Sequence, residues 1–545
     1  MQVNNLIARP SGWLIACLTS WLGCFLLASD RLQGLLINSM LLSVGTLSLC
    51  LPVGTFLAIA ITKTNAWLSK WLERALIVML FVPLYVHATA WQAALGQGGY
   101  FGGDGLLGGW TGAVWVHGMA AVPWVVLFVA VKLRTAPRDL EEQALQDAPA
   151  WIVLIRISLR QADVGIAAAA LWVTVICFSE IAVTDLFQVR TFAEEIYTAA
   201  SLGVLDGAQV QQSATSAASV QVPLFNVAEL FMGVLAVGVL VLAALIVLVK
   251  WVPMASFGAM QSDWHWRLGK GRLCWSILVC GVALVVIGLP NVGLLGKAGT
   301  QVEQVDGQVI HTWSAQKVAS LFVSSPWQHR RELGWSLTIG IVVTTITVSV
   351  GVLVAWALRS RLLPTWLTAA VLSLLFAVPG PLLGVWLIRI LNQPSDSWLY
   401  PLSWCYDYTI LAPVLAQFLR ALPPVVLVLA SQFSSLPQAV IDSSLSEGAN
   451  WLQQLARVTL PSCWPAVAAA TCIAMIVSLG ELAATLLVVP PGVSPLSVRI
   501  FGLIHYGAED RVSALCLTMI ATLSILIAIG LWLWRRLADE ENSEL

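Results

Sequence analysis

Long apolar runs recur along the whole chain and constrain its fold more than any other feature. The run FMGVLAVGVLVLAALIVLV, from Phe231 to Val249, is apolar on every face of a helix. A membrane-spanning helix needs about 20 such residues, and only helices and closed barrels satisfy their backbone polar groups in lipid. Barrel strands would alternate polar and apolar residues, and these runs do not. We therefore predict an all-α polytopic membrane protein.

Composition supports this class and excludes others. Of 545 residues, 58% are hydrophobic and 10% are charged, and 28 Lys and Arg oppose 29 Asp and Glu. A net charge of −1 offers no basic field for nucleic acid, so we expect no nucleic-acid partner. The ten cysteines form no CxxC pair, which indicates apolar packing residues. The first apolar run could be a signal peptide, but we favour a span because an equivalent run recurs in mid-chain.

The apolar runs predict about twelve transmembrane helices. Lys and Arg gather beside alternate loops, which predicts that both termini face the cytoplasm. On this threading the Gly-rich loop 96–109 and the polar segment 297–331 face outwards. The predicted spans are 12–29, 34–62, 73–95, 111–133, 162–187, 225–251, 273–295, 333–358, 364–391, 409–432, 463–489 and 512–535.

Internal similarity divides the chain into two parts. The segment Leu36 to Ile61 aligns with Leu333 to Leu358, and SEIAVTDL, from Ser179 to Leu186, aligns with GELAATLL, from Gly480 to Leu487. Such parallel repeats are common in transporters. We predict two six-helix halves in parallel topology, residues 1–255 and 273–545, joined by a cytoplasmic segment, 256–272.

Two acidic islands occupy equivalent places in these halves, between the fourth and fifth helices. The first is EQALQDAPAWIVLIRISLR, residues 142–160, and the second is DSSLSEGANWLQQLARVTLP, residues 442–461. In each, two acids five positions apart precede a helix breaker, Ala148-Pro149 or Gly448-Ala449. Glycine accepts positive φ and proline stops a helix. Each island therefore predicts a helix, a sharp turn and a second helix.

Two readings of these islands remain open on this pattern. A single island of this kind would be typical of a solvated helix at the membrane surface. Two in equivalent places favour a docking elbow for two copies of a soluble partner.

The second island resembles the EAA loop of permeases in binding-protein-dependent ABC importers, whose pattern is E-A-A-x-x-D-G-A, a spacer and a final L-P. Asp442-Ser443-Ser444, Glu447-Gly448-Ala449 and Leu460-Pro461 stand at these positions. In the first island Glu142-Gln143-Ala144 and Asp147-Ala148-Pro149 do so, but Arg160 replaces the final proline. The resemblance extends over nearly the whole chain and implies a type I ABC importer permease in the bacterial inner membrane.

The resemblance implies that each island is a coupling helix seated in a separate ATPase subunit. It further implies two copies of that cytoplasmic ATPase, an external substrate-binding protein and contact with membrane lipid. The chain contains no G-x-x-x-x-G-K-[ST] loop, so we expect no enzyme activity or bound cofactor here, with ATP used by the partner subunits. The coupling residues implied are Glu142, Ala144, Asp147, Ala148, Asp442, Ser444, Glu447, Gly448 and Ala449.

The fused arrangement is similar to that of ferric-iron permeases, and we expect ferric iron as cargo; thiamine or another small solute is the alternative. A gradient-driven secondary transporter would need buried carboxylates in several spans and no matched elbows. A membrane-embedded enzyme would need a catalytic cluster at one depth.

One carboxylate falls within the predicted fifth helix of each half. Glu180 and Glu481 occupy matched positions, and buried charges in spans mark transport pathways by default. They could line the path, or be neutralised by a neighbouring helix or by the matched Arg190 and Arg499. His87 and His117 lack clustered carboxylates or thiols, so we expect no metal site.

Overall fold

The computed structural model describes residues 29–101, 105–134, 138–202, 268–305, 308–507 and 509–544, with isolated positions 233, 237, 238 and 266. Helices joined by turns and loops make up most of these residues, with one hairpin beside them, so the all-α membrane fold predicted from the apolar runs is confirmed. The predicted spans 12–29 and 225–251 lie outside the described residues, except for the last residue of the first and three positions of the second. So does most of the joint 256–272.

The N-terminal part contains nine helices within the described ranges. Ser29 caps the first by accepting a hydrogen bond from the Leu32 N–H, and Asp30 places a negative charge in its first turn. The helices are α1 (Asp30–Thr62), α2 (Ser69–Leu80), α3 (Leu84–Leu95), α4 (Gly109–Arg134), α5 (Arg138–Asp147), α6 (Ala150–Gln161), α7 (Asp163–Ser179), α8 (Ala182–Leu186) and α9 (Phe192–Ser201).

The C-terminal part repeats this order after two leading helices and a hairpin. Its elements are α10 (Arg272–Gly299), β1 (Thr300–Val305), β2 (Gln308–Trp313), α11 (Ala315–Gln328), α12 (Arg330–Arg359), α13 (Thr365–Ala377), α14 (Gly380–Leu391), α15 (Pro401–Tyr408), α16 (Leu411–Ser435), α17 (Gln438–Ser446), α18 (Trp451–Ser462), α19 (Trp464–Gly480), α20 (Thr485–Val488), α21 (Leu496–His505) and α22 (Glu509–Glu544).

Four predicted spans are broken instead of continuous. By length and composition, five helices in the described ranges could cross a membrane, or nine spans if four bent pairs each count once. Pro83 and Pro379 stand at the breaks that bend α2–α3 by 112° and α13–α14 by 101°. The spans predicted at 162–187 and 463–489 end early, because α7 stops before Glu180 and α19 before Glu481. Proline cannot continue the helical hydrogen-bond ladder, which explains the first two breaks.

Close helix contacts occur at matched glycines in the two parts. A Cβ on Gly54 would lie 2.5 Å from Val125 Cβ, and one on Gly351 would lie 2.7 Å from Val425 Cγ1. The first contact joins α1 to α4, and the second joins α12 to α16, which is the corresponding pair in the C-terminal part. Small residues permit such close approach in membrane bundles, where packing supplies much of the stability.

The two parts are packed against each other. Tyr85 donates a hydrogen bond to the Leu479 carbonyl at 3.3 Å, and the Trp172 and Phe376 rings stack with centroids 5.2 Å apart. Gly293 on α10 lies directly against Ala94 on α3. The helix that opens the C-terminal part therefore packs on the N-terminal part.

The hairpin was missed by the sequence analysis. β1 and β2 pair antiparallel, with Thr300 opposite Trp313. Trp313 Nε1 donates to the Leu295 carbonyl at 3.3 Å, and Lys317 Nζ lies 2.9 Å from Asp510 Oδ2. The second contact ties the segment after the hairpin to the start of α22, so Lys317 is neutralised there although it lies on the side predicted to face outwards.

Candidate functional site

The first acidic island forms an elbow of two helices. The arm α5 ends at Asp147, and Pro149 occupies the N-cap of the arm α6 with φ −65° and ψ 151°. Glu142 and Asp147 are exposed, while Ala144 and Ala148 are half-buried. The predicted helix, turn and helix are therefore present, with proline ending the first arm.

The second island forms a matching elbow around a glycine in the left-handed region. Gly448 has φ +82°, and the Ala449 N–H donates to the Ser444 carbonyl at 3.1 Å, which closes the first arm. Asn450 and Gln453 then form a capping box that starts α18. Asp442, Glu447 and Gly448 are exposed, Ala449 is half-buried and Ser444 is buried.

Each elbow presents large apolar side chains to its surroundings beside its acids. Trp151, the second residue of α6, is 64% exposed, and Trp451, the first residue of α18, is 57% exposed, so each follows its turn directly. The other large exposed apolar residues of the two elbows are Leu140, Ile155, Val440, Leu445 and Leu452. Exposed aromatic and aliphatic groups rimmed by charge are typical of a protein docking surface.

A π turn interrupts the second arm of both elbows at the same place. It spans Leu154–Ser158 in α6 and Leu455–Thr459 in α18. Each second arm then bends into a long helix, by 57° into α7 and by 82° into α19. Motion of an elbow would therefore be passed directly to the helix that ends just before Glu180 or Glu481.

Basic residues at the ends of two long helices contact the first elbow and the chain just before the second. Lys63 Nζ lies 2.8 Å from Glu141 Oε2 in the first elbow, whereas Arg359 donates to the carbonyls of Phe433 and Leu436, which precede the second elbow. The sequence analysis did not find Glu141. Its only signal was an acid where the other island has Ile441.

The carboxylates Glu180 and Glu481 each cap the short helix that follows the break. Glu180 accepts from the N–H groups of Ala182 and Val183 at 2.6 and 3.0 Å, and Glu481 accepts from Ala484 N–H at 2.9 Å. Both residues thus terminate helices where continuous spans were predicted.

The basic side chains nearest to these carboxylates come from neighbouring helices. His117 Nε2 lies 3.6 Å from Glu180 Oε2, and Arg420 Nε lies 3.3 Å from Glu481 Oε2. Arg190 and Arg499, the other candidates, are exposed. His117 and Gln417 stand at corresponding positions of α4 and α16. The sequence analysis missed Arg420 because the first part has Ala120 at the corresponding position, so the arginine is not repeated.

Arg420 also reaches across to the N-terminal part. Its guanidinium donates to the Val378 carbonyl at 3.1 Å and to Ser179 Oγ at 3.2 Å. One side chain therefore connects the breaks after α7, α13 and α19. Arginine suits this role because its planar group offers five fixed donors.

Metal chemistry has little support in the described ranges. They contain no group of three or more His, Cys, Asp or Glu side chains able to hold a metal ion. His87 is buried in α3, and His117 Nδ1 is hydrogen-bonded to the Ala113 carbonyl at 2.9 Å.

Comparison with known proteins identifies a family domain in the part of the chain that contains the second elbow. Residues 332–539 match the family described as binding-protein-dependent transport system inner membrane component. The chain is 27% identical over 280 residues to the putative 2-aminoethylphosphonate transport system permease protein PhnV of Salmonella choleraesuis (strain SC-B67), covering 49% of this chain and 98% of that protein.

Two further relatives come from Escherichia coli (strain K12). The glycine betaine/proline betaine transport system permease protein ProW is 22% identical over 192 residues, 32% of this chain and 53% of ProW. The putrescine transport system permease protein PotI is 23% identical over 169 residues, 30% of this chain and 53% of PotI. Residues 332–539 therefore form a domain of the binding-protein-dependent transport system inner membrane component family.

Proposed function

We propose that this chain is a fused permease in which both elbows dock a cytoplasmic ABC ATPase, one copy at each. ATP hydrolysis takes place on those partner subunits, and an external binding protein delivers the cargo. The observation that carries this proposal is the duplicated elbow. In each copy two acids precede a sharp turn, an exposed tryptophan is among the first two residues of the second arm, and a π turn begins at the fifth residue of that arm.

The division into halves, 1–255 and 273–545 with the joint 256–272, belongs to the same proposal. It is supported by the order of elements, since α1 to α9 correspond to α12 to α14 and α16 to α21. It is also supported by the matched close contacts at Gly54 and Gly351 and by the matched caps at Glu180 and Glu481.

Orientation follows from the elbows. Because the partner ATPase is cytoplasmic, the elbow ends of α4 and α16 face the cytoplasm, and the hairpin lies on the opposite, outer side. Lys132, Arg134 and Arg359 lie near the elbow ends, as the positive-inside rule requires. Both chain termini then face inwards, in the bacterial inner membrane.

The pathway in this proposal passes the breaks after α7 and α19. Glu180 and Glu481 line it, and the Arg420 side chain crosses it by joining Ser179 of one part to Glu481 of the other. Rocking of the elbows moves α7 and α19 directly, so it separates Ser179 from Arg420 and opens the crossing. The exposed acids Glu142, Asp147, Asp442 and Glu447 contact basic groups of the ATPases.

Ferric iron is the cargo that we propose from the resemblance to fused iron permeases. The relatives named above are 2-aminoethylphosphonate, betaine and putrescine permeases, so these solutes and thiamine are the competing cargoes. Uptake of each labelled solute should be compared in cells with and without this chain. If the chain increased the uptake of another solute and left iron uptake unchanged, that solute would replace iron as the proposed cargo.

The first experiment is a pull-down of the tagged chain from its native membranes in mild detergent. We expect an ATPase to co-purify with hydrolytic activity, and Glu447→Lys to reduce its recovery by at least about tenfold, the equivalent of about 1.4 kcal/mol, because like charges brought together in an interface typically cost more than this. Asp396→Lys is the control, since Asp396 is equally exposed but lies outside both elbows. Equal loss in both variants, or transport driven by an ion gradient without an ATPase, would contradict the proposal.

A further inference from the structure

A buried carboxylate in the first elbow holds three helices together. Glu141 on α5 has its Oε2 2.8 Å from Lys63 Nζ at the end of α1, and Ser158 Oγ on α6 donates to its Oε1 at 2.7 Å. The Lys63 and Glu141 side chains are 2% and 0% exposed. Both arms of the elbow are therefore tied through one carboxylate to the preceding long helix.

The same end of α1 also holds the start of the C-terminal part. The Trp266 N–H donates to the Lys63 carbonyl at 2.8 Å, and the Leu268 N–H donates to Asn65 Oδ1 at 3.2 Å. Arg272 Nε donates to the Asn65 carbonyl at 2.9 Å. Lys63 thus sits where the first elbow, α1 and the entry to the C-terminal part meet.

The second elbow lacks this tie. Ile441 stands where the first elbow has Glu141, Thr459 stands where it has Ser158, and Ser360 stands where α1 has Lys63. The Thr459 hydroxyl is buried and has no hydrogen-bond partner among the described residues. Arg359 holds carbonyls that precede the first arm, so it does not join the two arms to each other.

We propose that Lys63 and Glu141 are positioning residues that make the first elbow a stiff lever, whereas the second elbow is compliant. This inference rests on the proposed function, because the lever acts on a docked ATPase. An ion pair with a further hydrogen bond constrains geometry in a way that apolar contact at Ile441 does not. The two elbows that dock the ATPases therefore differ in stiffness.

The test uses a variant that removes the tie without leaving a buried charge. Loss of one partner from a buried pair is strongly destabilising, while apolar replacement of both is often tolerated. Lys63→Met combined with Glu141→Ile copies the apolar solution of the second elbow. Ile441→Leu is the matched control in that elbow.

The first readout is amide hydrogen exchange of the full chain in lipid nanodiscs. In the wild type we expect segment 138–161 to exchange about tenfold more slowly than segment 438–462, because bonded units open less often. In the double variant, exchange in 138–161 should rise to the rate of 438–462, with the second elbow unchanged. Equal rates in the wild type, or a rise in both elbows together, would overturn the proposal.

The second readout is the ATPase rate of the co-purified complex relative to the ATPase alone. The double variant should still bind the ATPase, but its stimulation of the ATPase rate should fall about tenfold, since misplaced coupling elements cost large factors in rate. The Ile441→Leu complex should match the wild type. Retained ATPase with unchanged stimulation would overturn the lever alone, whereas absence of any ATPase from the wild-type complex would overturn the proposed function and the lever with it.

Discussion

Arg420 on α16 lies 3.3 Å from Glu481, at the break after α19, and its guanidinium also donates to Ser179 at the break after α7. Both side chains are largely shielded, with 16% and 7% of their surfaces exposed. The interface between the two parts of the chain is therefore held at this point by a hydrogen bond to Ser179 from an arginine whose charge is paired with Glu481. Its removal has a predictable cost.

Replacing Arg420 with Met should destabilise the protein by about 3 to 5 kcal/mol, because it leaves the Glu481 carboxylate buried without its cation. The measurement is thermal unfolding of the purified chain in detergent. Arg499→Met is the control, since Arg499 is exposed and should leave the midpoint unchanged. Restoration of the midpoint by Arg420→Met with Glu481→Gln would assign the loss to the unpaired charge; equal midpoints for Arg420→Met and the wild type would contradict the role.

Alanine at the two matched close contacts should be destabilising. Gly54→Ala and Gly351→Ala should each cost about 1 to 3 kcal/mol through overpacking against Val125 and Val425. Gly34→Ala and Gly334→Ala are the matched controls, because a Cβ at either position would have no neighbour within 4 Å. The measurement is the unfolding midpoint of all four variants. If the two control variants were destabilised as much as Gly54→Ala and Gly351→Ala, the close contact would not be the cause.

The turn of the second elbow should discriminate between side chains by backbone conformation. Gly448→Val should abolish stimulation of the ATPase while the chain still inserts, because a β-branched residue at φ +82° costs at least about 1 to 2 kcal/mol. Gly448→Asn should retain most of the stimulation, since Asn tolerates this region. The space around Gly448 is open, so side-chain clashes are not the cause. Equal activity of the two variants would exclude a backbone requirement.

A pH effect is expected at α9, between the predicted fifth and sixth spans. Burial raises the pKa of Glu194, with Glu195 and Asp185 adding to the rise and Thr198 opposing it. A raised pKa in the folded state means that folding favours the protonated acid. This stabilisation is present below the pKa of the unfolded chain and is lost as pH rises through the folded pKa.

Glu194→Gln should therefore flatten the fall in unfolding temperature as pH rises through that window. The measurement is the unfolding midpoint of wild type and variant across a pH series above the ordinary pKa of Glu. Glu447→Gln is the control, because Glu447 is exposed. Identical slopes for Glu194→Gln and the wild type would contradict the burial effect.

Residues that act through their own backbone were predictable from sequence. Gly448 and Pro149 break helices by intrinsic conformation, so both elbows could be located from the chain alone. The long apolar runs likewise identified the helical membrane class. Such local signals do not depend on how the helices are later arranged.

Residues that act through distant partners were not predictable in the same way. The roles of Glu141 and Arg420 depend on Lys63 and Ser179, which are 78 and 241 positions away. The breaks at Glu180 and Glu481 were missed because apolar residues on both sides hide them. The hairpin was missed because its short strands lie in a segment judged only by polarity and predicted orientation.

The π turns in α6 and α18 set the angular phase of each second arm. A π turn contains one residue more than an α-helical turn, and one residue corresponds to about 100° around a helix axis. Trp151 and Trp451 precede this extra residue, while Ser158 and Thr459 close it. Deleting one residue there would convert the turn to a regular one and rotate each tryptophan by about a quarter of a circle relative to α7 or α19. The direction in which each tryptophan points, relative to the long helix that follows, therefore depends on a single inserted residue.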